Sequence, residues 1–202
     1  MSVAAYASLG RRAPVPRPMC AGCNEPMAFD GSYPRRVREA GVVHRIFVRR
    51  ARCPRCGTGD ALLPDFVLRN RLDSTSSVGA AVLGHAGLPL PGSATALFRH
   101  VPGRTVRSWR QRFGEKADEL TTRFAAVCAE WGGTLPRGGT STPSRRAIGA
   151  IGAVWTAAQR LSSEVPPPWL VANIIVGGQL LSNRVDLPWP VVPRLIGRSR
   201  PP

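Results

Sequence analysis

The chain has 202 residues, with 28 basic against 12 acidic side chains and a formal charge of +16, long enough for one or two domains with sizeable cores. Hydrophobic residues make up 43% and aromatics 6%, which argues against wholesale disorder, while 21 Gly and 20 Pro predict long irregular stretches. The longest charge-free runs, Ser74 to Phe98 and Val165 to Asn183, are broken by Pro and Gly, so neither reads as a spanning helix and no membrane partner is expected.

In chain order, residues 1–18, with Pro14, Pro16 and Pro18, read as a flexible lead-in. Arg11 and Arg12 follow the apolar stretch, the wrong order for a secretory signal, so the expected address is cytoplasmic and nucleoid-associated. Residues 19–72 form the next unit. Cys20-Ala-Gly-Cys23 and Cys53-Pro-Arg-Cys56-Gly57 are two C-x2-C pairs separated by 29 residues. The intervening chain holds a hairpin signal: Val42 to Arg52 is rich in β-branched and aromatic residues and follows Arg35 to Arg38 across a turn near Gly41. Four thiolates on two tight turns around a hairpin are the pattern of a zinc ribbon, with Cys20, Cys23, Cys53 and Cys56 as ligands. Two disulfides are disfavoured without a secretory signal. A redox site would need one pair opening a helix after a strand. Four protein ligands leave no open position, so Zn(2+) is expected in a structural role.

Helical signals begin at Asp73, where an Asp/Ser/Thr cap leads into Val78, Ala81 and Val82 before Gly87 and Pro89 stop the run. Ser93 to His100 reads as a second short helix, Arg104 to Phe113 as a third and Glu115 to Trp131 as a fourth. Cys128 falls on the apolar stripe of the fourth with Leu120, Phe124, Val127 and Trp131, a packing surface that could equally be a homodimer seam. Residues 132–145 read as a linker, Arg146 to Leu161 as a fifth helix, and Pro166 to Pro202 as too Pro-rich to assign. The expected fold is therefore α+β: a four-cysteine zinc ribbon built on a β-hairpin, a helix-turn-helix domain over 73–131, and a helical, Pro-rich C-terminal region over 146–202.

On a wheel of about 100° per residue, Val106, Trp109 and Phe113 share one face of the third helix. Arg104, Arg107, Ser108 and Gln111 lie opposite, with Arg110 and Arg112 on the flanks. Such side chains pair with guanine edges, adenine edges and phosphates. Arg104, Thr105, Arg107, Ser108, Arg110 and Gln111 are thus candidate contacts to double-stranded DNA, with a short helix and a turn at Val101-Pro102-Gly103 delivering the chain into them. Arg45, Arg49, Arg50 and Arg52 crowd one strand of the hairpin and are candidates for a second, non-specific contact.

Three stretches carry a resemblance: Cys53-Pro-Arg-Cys56-Gly57; Leu62-Leu63-Pro64-Asp65-Phe66 with Arg69 and Arg71; and Arg104-Thr-Val-Arg-Ser-Trp109-Arg-Gln-Arg-Phe113. Over its first 130 residues or so the chain resembles actinobacterial proteins that join a zinc ribbon to a helix-turn-helix, and the N-terminal regions of some insertion-sequence transposases. The resemblance implies DNA binding in the setting of mobile elements, as a regulator or an accessory of an integrase or transposase. An adaptor that recruits protein to a recombinase complex is the alternative. A strand-transfer enzyme would need converging carboxylates. Past Arg146 the only acids are Glu164 and Asp186, and no P-loop or G-x-S-x-G is present, so the chain is not expected to be an enzyme.

Overall fold

The computed structural model describes residues 1–86, 94–136 and 142–182. A three-stranded antiparallel sheet, in the order β1-β2-β3, carries the N-terminal half. Strands β1 (Ala28–Glu39) and β2 (Val42–Arg52) form the hairpin, closed by Glu39 opposite Val42. Ala40 and Gly41 both take positive φ, 48° and 85°, as a tight two-residue hairpin turn requires. Strand β3 (Gly59–Leu62) was not expected. The chain leaves β2 through the second cysteine turn and folds straight back, pairing Arg52 with Gly59 and Arg49 with Leu62. Pro34 sits within β1, which is tolerated because β1 is an outer strand of the sheet.

The expected flexible lead-in is instead built into the fold. Ser2 caps helix α1 (Val3–Leu9), whose Val3 and Tyr6 are buried against Val37, Ile46, Val48 and Phe66. The Tyr6 and Phe66 rings meet edge to face at 5.3 Å, and the Tyr6 hydroxyl donates to the Phe47 carbonyl. Only two apolar anchors per helical turn are needed for such a contact, and the prolines that suggested looseness all follow the helix.

Helix α2 (Thr75–His85) starts where the sheet ends: Ser74 caps it, and Asp73 forms a two-pronged ion pair with Arg38 at 2.7 and 3.1 Å. Of the expected helix over Ser93–His100, Ser93 lies outside the described residues and the rest holds only a 3-10 turn at Ala94–Leu97, short enough that α-helical nucleation is not repaid. Helices α3 (Gly103–Glu115) and α4 (Ala117–Glu130) follow, separated at Lys116. Helix α5 (Pro143–Leu161) begins three residues earlier than expected, because Thr142 caps it and Pro143 occupies its first turn, so the segment read as a linker over 132–145 ends sooner.

Pro166 onward also departs from expectation. Helix α6 (Pro168–Ile175) opens on a proline and buries Trp169, Val171, Ala172 and Ile175. One apolar core gathers residues of α2 through α6 with Leu180 and Leu181, so the region from 146 to 182 is part of the helical body and not an appended tail. The remainder of the expected tail, 183–202, lies outside the described residues.

A strip from Asp65 to Arg71 joins sheet to helices. Arg35 donates to the carbonyls of Leu68 and Arg71, at 2.6 and 2.8 Å. From the other side Asn173 Nδ2 donates to the carbonyls of Asp65 and Val67, at 2.6 and 3.0 Å, while the Arg69 amide donates to Gly178 O. Asn173 is 2% exposed, and its loss strands the buried Val67 carbonyl, whereas the Asp65 carbonyl keeps the Thr75 hydroxyl. Asn173→Ala should therefore cost about 1–3 kcal/mol in urea unfolding, the range for buried groups left unpaired; an unchanged midpoint would show that the strip is held without it.

Candidate metal centre and nucleic-acid interface

The two cysteine turns are built alike. In the first, the Cys20 carbonyl accepts from the Asn24 amide and the Cys20 amide donates to Glu25 O; in the second, Cys53 O accepts from Gly57 N and Cys53 N donates to Thr58 O. Each turn closes on a residue with positive φ, Asn24 at 54° and Gly57 at 72°. The first turn has Ala21 and Asn24 where the second has Pro54 and Gly57 but reaches the same shape, because asparagine enters the left-handed region more readily than other side chains.

This pairing brings Cys20, Cys23, Cys53 and Cys56 together, all four sulfurs lying within 4.8 Å of one another. Cys20 Sγ is 3.5 Å from Cys56 Sγ, and Cys23 Sγ is 3.4 Å from Cys53 Sγ. A tetrahedral ion about 2.3 Å from each thiolate spaces its sulfurs about 3.8 Å apart, whereas a disulfide needs about 2.05 Å. The arrangement fits a bound metal and not a pair of disulfides, and all four thiols are free. Cys20 and Cys53 are buried, with Met27, Ala51 and Leu62 packed beside them, while Cys56 is exposed. Thr58 Oγ1 lies 3.2 Å from Cys56 Sγ. Hydrogen bonding from Thr58, with its side chain first and its backbone second, holds the Cys56 thiol down to about 6. Cys23 is pushed up to about 12, chiefly by its hydrogen bond with Cys53. Cys56 is thus ready to ligate as thiolate, whereas Cys23 must shed its proton to an incoming cation.

Helix α3 presents the stripe expected of it. Val106, Trp109 and Phe113 are buried, while Arg104, Arg107 and Gln111 are exposed on the opposite side. Arg104 and Arg107 have no hydrogen-bond or ion-pair partner among the described residues, whereas Gln111 donates to Glu115. The other candidates there are engaged or half-buried. Arg110 donates to the Ala81 carbonyl at 3.0 Å and so ties α3 to α2; Ser108 accepts from Arg112; Thr105 is half-buried. The sequence reading missed Arg99. It is exposed, and with Phe98, Val101, Arg107 and Arg110 it lines an open groove of about 640 Å³ beside α3. Its position in the turn, one residue before His100, gave no periodic signal.

The four hairpin arginines do not form one cluster. Alternation along β2 puts Arg45 and Arg49 on one face with Phe47, and Arg50 and Arg52 on the other. Arg52 donates to the Gly57 carbonyl, which places it on the cysteine turn. At the opposite end of the hairpin, Gly41 packs on the His100 ring, and a Cβ there would lie 2.8 Å from its Cδ2. The tip of the ribbon therefore abuts the turn that leads into α3.

The chain is thus an α+β protein with a four-cysteine cluster, close enough together to hold a metal ion, beside a three-stranded antiparallel sheet, and no helix among the described residues is long and apolar enough to cross a membrane. Residues 20–109 match a family model described as a domain of unknown function (DUF6431), a stretch that starts at the first cysteine of the cluster and ends at Trp109 of α3. No curated protein and no solved structure matches the chain.

Proposed function

We propose that the protein binds double-stranded DNA, with α2, the 3-10 turn and α3 acting as a helix-turn-helix and the cysteine site holding a structural zinc ion. The observation that carries the reading is the outward face of α3. Arg104, Arg107 and Gln111 stand at spacings of three and four on an exposed surface, and the buried Val106, Trp109 and Phe113 fix that surface in orientation. Arginine forks suit guanine edges and glutamine suits adenine. The charge of +16 supplies attraction to the phosphate backbone. Four clustered thiolates favour a soft, tetrahedral ion, and zinc is the one such ligand sets commonly hold without redox chemistry. The role in mobile DNA, as a regulator or as an accessory of an integrase or transposase, rests on the resemblance of the ribbon and α3 motifs, and a non-enzymatic role accords with it.

Selection of binding sites from a random duplex pool tests the reading. A defined site should emerge, and Arg104→Ala, Arg107→Ala and Gln111→Ala should each weaken it by about 1–3 kcal/mol while relaxing preference at one position. No enrichment, or losses equal on every sequence, would overturn α3 as the reader. Capture of a recombinase by the DNA-inactive protein would then favour the adaptor.

A further inference from the structure

We infer that the outer face of the β1–β2 hairpin is a second DNA surface, a phosphate-binding plate formed by Arg11, Arg36, Arg45 and Arg49 on a base of Phe29 and Phe47. The inference deepens the DNA-binding reading and rests on it.

Residues directly opposite in an antiparallel ladder share a face, and here Arg36 stands opposite Arg45, Pro34 opposite Phe47, and Ser32 opposite Arg49. None of these six positions is acidic. Arg36 and Arg45 are both exposed, a like-charge cross-strand pair that destabilises a sheet in isolation. Three of the plate's guanidinium groups lie over rings at cation–π distance: Arg11 is 5.0 Å and Arg45 5.6 Å from the Phe47 centroid, and Arg49 is 5.2 Å from that of Phe29. Arg49 also donates to the Arg11 carbonyl, which draws the end of α1's following turn onto the plate. None of the four arginines has a carboxylate within ion-pair distance among the described residues.

A repulsive set of cations, held over rings and with no acid in ion-pair distance among the described residues, suits an extended polyanion. The ring contacts restrict the guanidiniums before any ligand binds, which lowers the side-chain freedom lost when phosphates arrive, and the planar fork matches phosphate oxygens. Arg45 and Arg49 are four residues apart, about 13 Å along the strand, a span over which a duplex presents several phosphates. A contact of this kind carries no base information. The plate therefore lengthens the footprint beyond α3 without adding to the recognised sequence. It also replaces the grouping of Arg45 and Arg49 with Arg50 and Arg52.

The test uses the full chain, a fluorescein-labelled duplex of about 30 base pairs and arbitrary sequence, and anisotropy titrations between about 50 and 200 mM salt. R36Q/R45Q should reduce the slope of log affinity against log salt by about 1.8, at about 0.9 per phosphate. Its melting temperature should hold or rise, since a like-charge pair has been relieved. An unchanged slope in R36Q/R45Q, with R104Q/R107Q still lowering it, would overturn the plate and leave the α3 reading intact. Absence of salt-dependent duplex binding by the unsubstituted protein would overturn both. Tighter binding to a single strand of equal length would overturn the duplex assignment, and a lowered melting temperature with an unchanged slope would make these arginines structural.

Discussion

Cys53→Ser is expected to abolish metal binding and to unfold the ribbon. Cys53 closes β2 with its sulfur buried, and serine preserves the backbone bonds to Gly57 and Thr58, so the substitution isolates the thiolate. A structural zinc ion contributes on the order of 10 kcal/mol to folding, comparable with the whole stability of a domain at about 5–15 kcal/mol. Beyond the hairpin itself, little apolar mass holds the cysteine end: its cluster consists of Cys20, Met27, Ala51, Cys53 and Leu62, with Val15 and Cys23 at its margin. The unsubstituted protein should carry one metal per chain by elemental analysis, and C53S none, with loss of the strand signal in circular dichroism. Acidification should release the ion as the thiolates regain protons, so metal content should fall with decreasing pH and recover on neutralisation. Full metal content and an unaltered melting curve in C53S would refute the centre.

Trp169→Ala should be the most damaging change in the helical body. The indole meets Phe113 edge to face at 5.9 Å and lies against α2, where a Cβ on Gly79 would come within 2.6 Å of its Cδ1. Removing a buried indole of this kind costs about 3–5 kcal/mol. Gly79→Ala drives a methyl into the ring and should cost about 1–3 kcal/mol. In the Trp169→Ala background that methyl has room, so the double variant should be more stable than the sum of the two losses predicts. Urea unfolding of the four proteins measures the coupling. Additivity within about 0.5 kcal/mol would show that the two residues do not share the space.

The elements with strong local signals were legible in the sequence. Two C-x2-C pairs located the four-cysteine cluster, the β-branched run from Val42 to Arg52 matches β2 in full, and the Val106, Trp109, Phe113 stripe gave the buried side of α3. What escaped depends on contacts distant in sequence. Strand β3 is four residues long and gains its partner only because the cysteine turn reverses the chain. Helix α1 is held by Phe66 and Ile46, neither predictable from its own seven residues. Helix α6 sits between prolines at 167 and 168 and the Gly177-Gly178 pair, and its burial comes from α2 and α5. The hairpin arginines were readable as a basic strand, but their division between two faces required β1 opposite and the rings of Phe29 and Phe47. The start of α5 was available in the Thr142-Pro143 pair and was masked by the Gly- and Thr-rich stretch before it.

The hydrogen bonds from Asn173 to Asp65 and Val67 span 108 and 106 residues, and this separation sets an order of events during synthesis. Both cysteine turns and the whole sheet leave the ribosome before α3 exists, and local pairing with low sequence separation forms early. A nascent chain can therefore bring its four cysteines together while the strip from 65 to 71 still has water on one side. Closure of the helical body waits for α6, which emerges last among the described helices. Chains halted before Trp169 would hold metal on a finished ribbon and leave the apolar sides of α2 and α3 uncovered, the form most prone to association with other unfinished chains. A premature stop before Trp169 should accordingly yield an insoluble product, not a soluble fragment with the sheet and α3 intact.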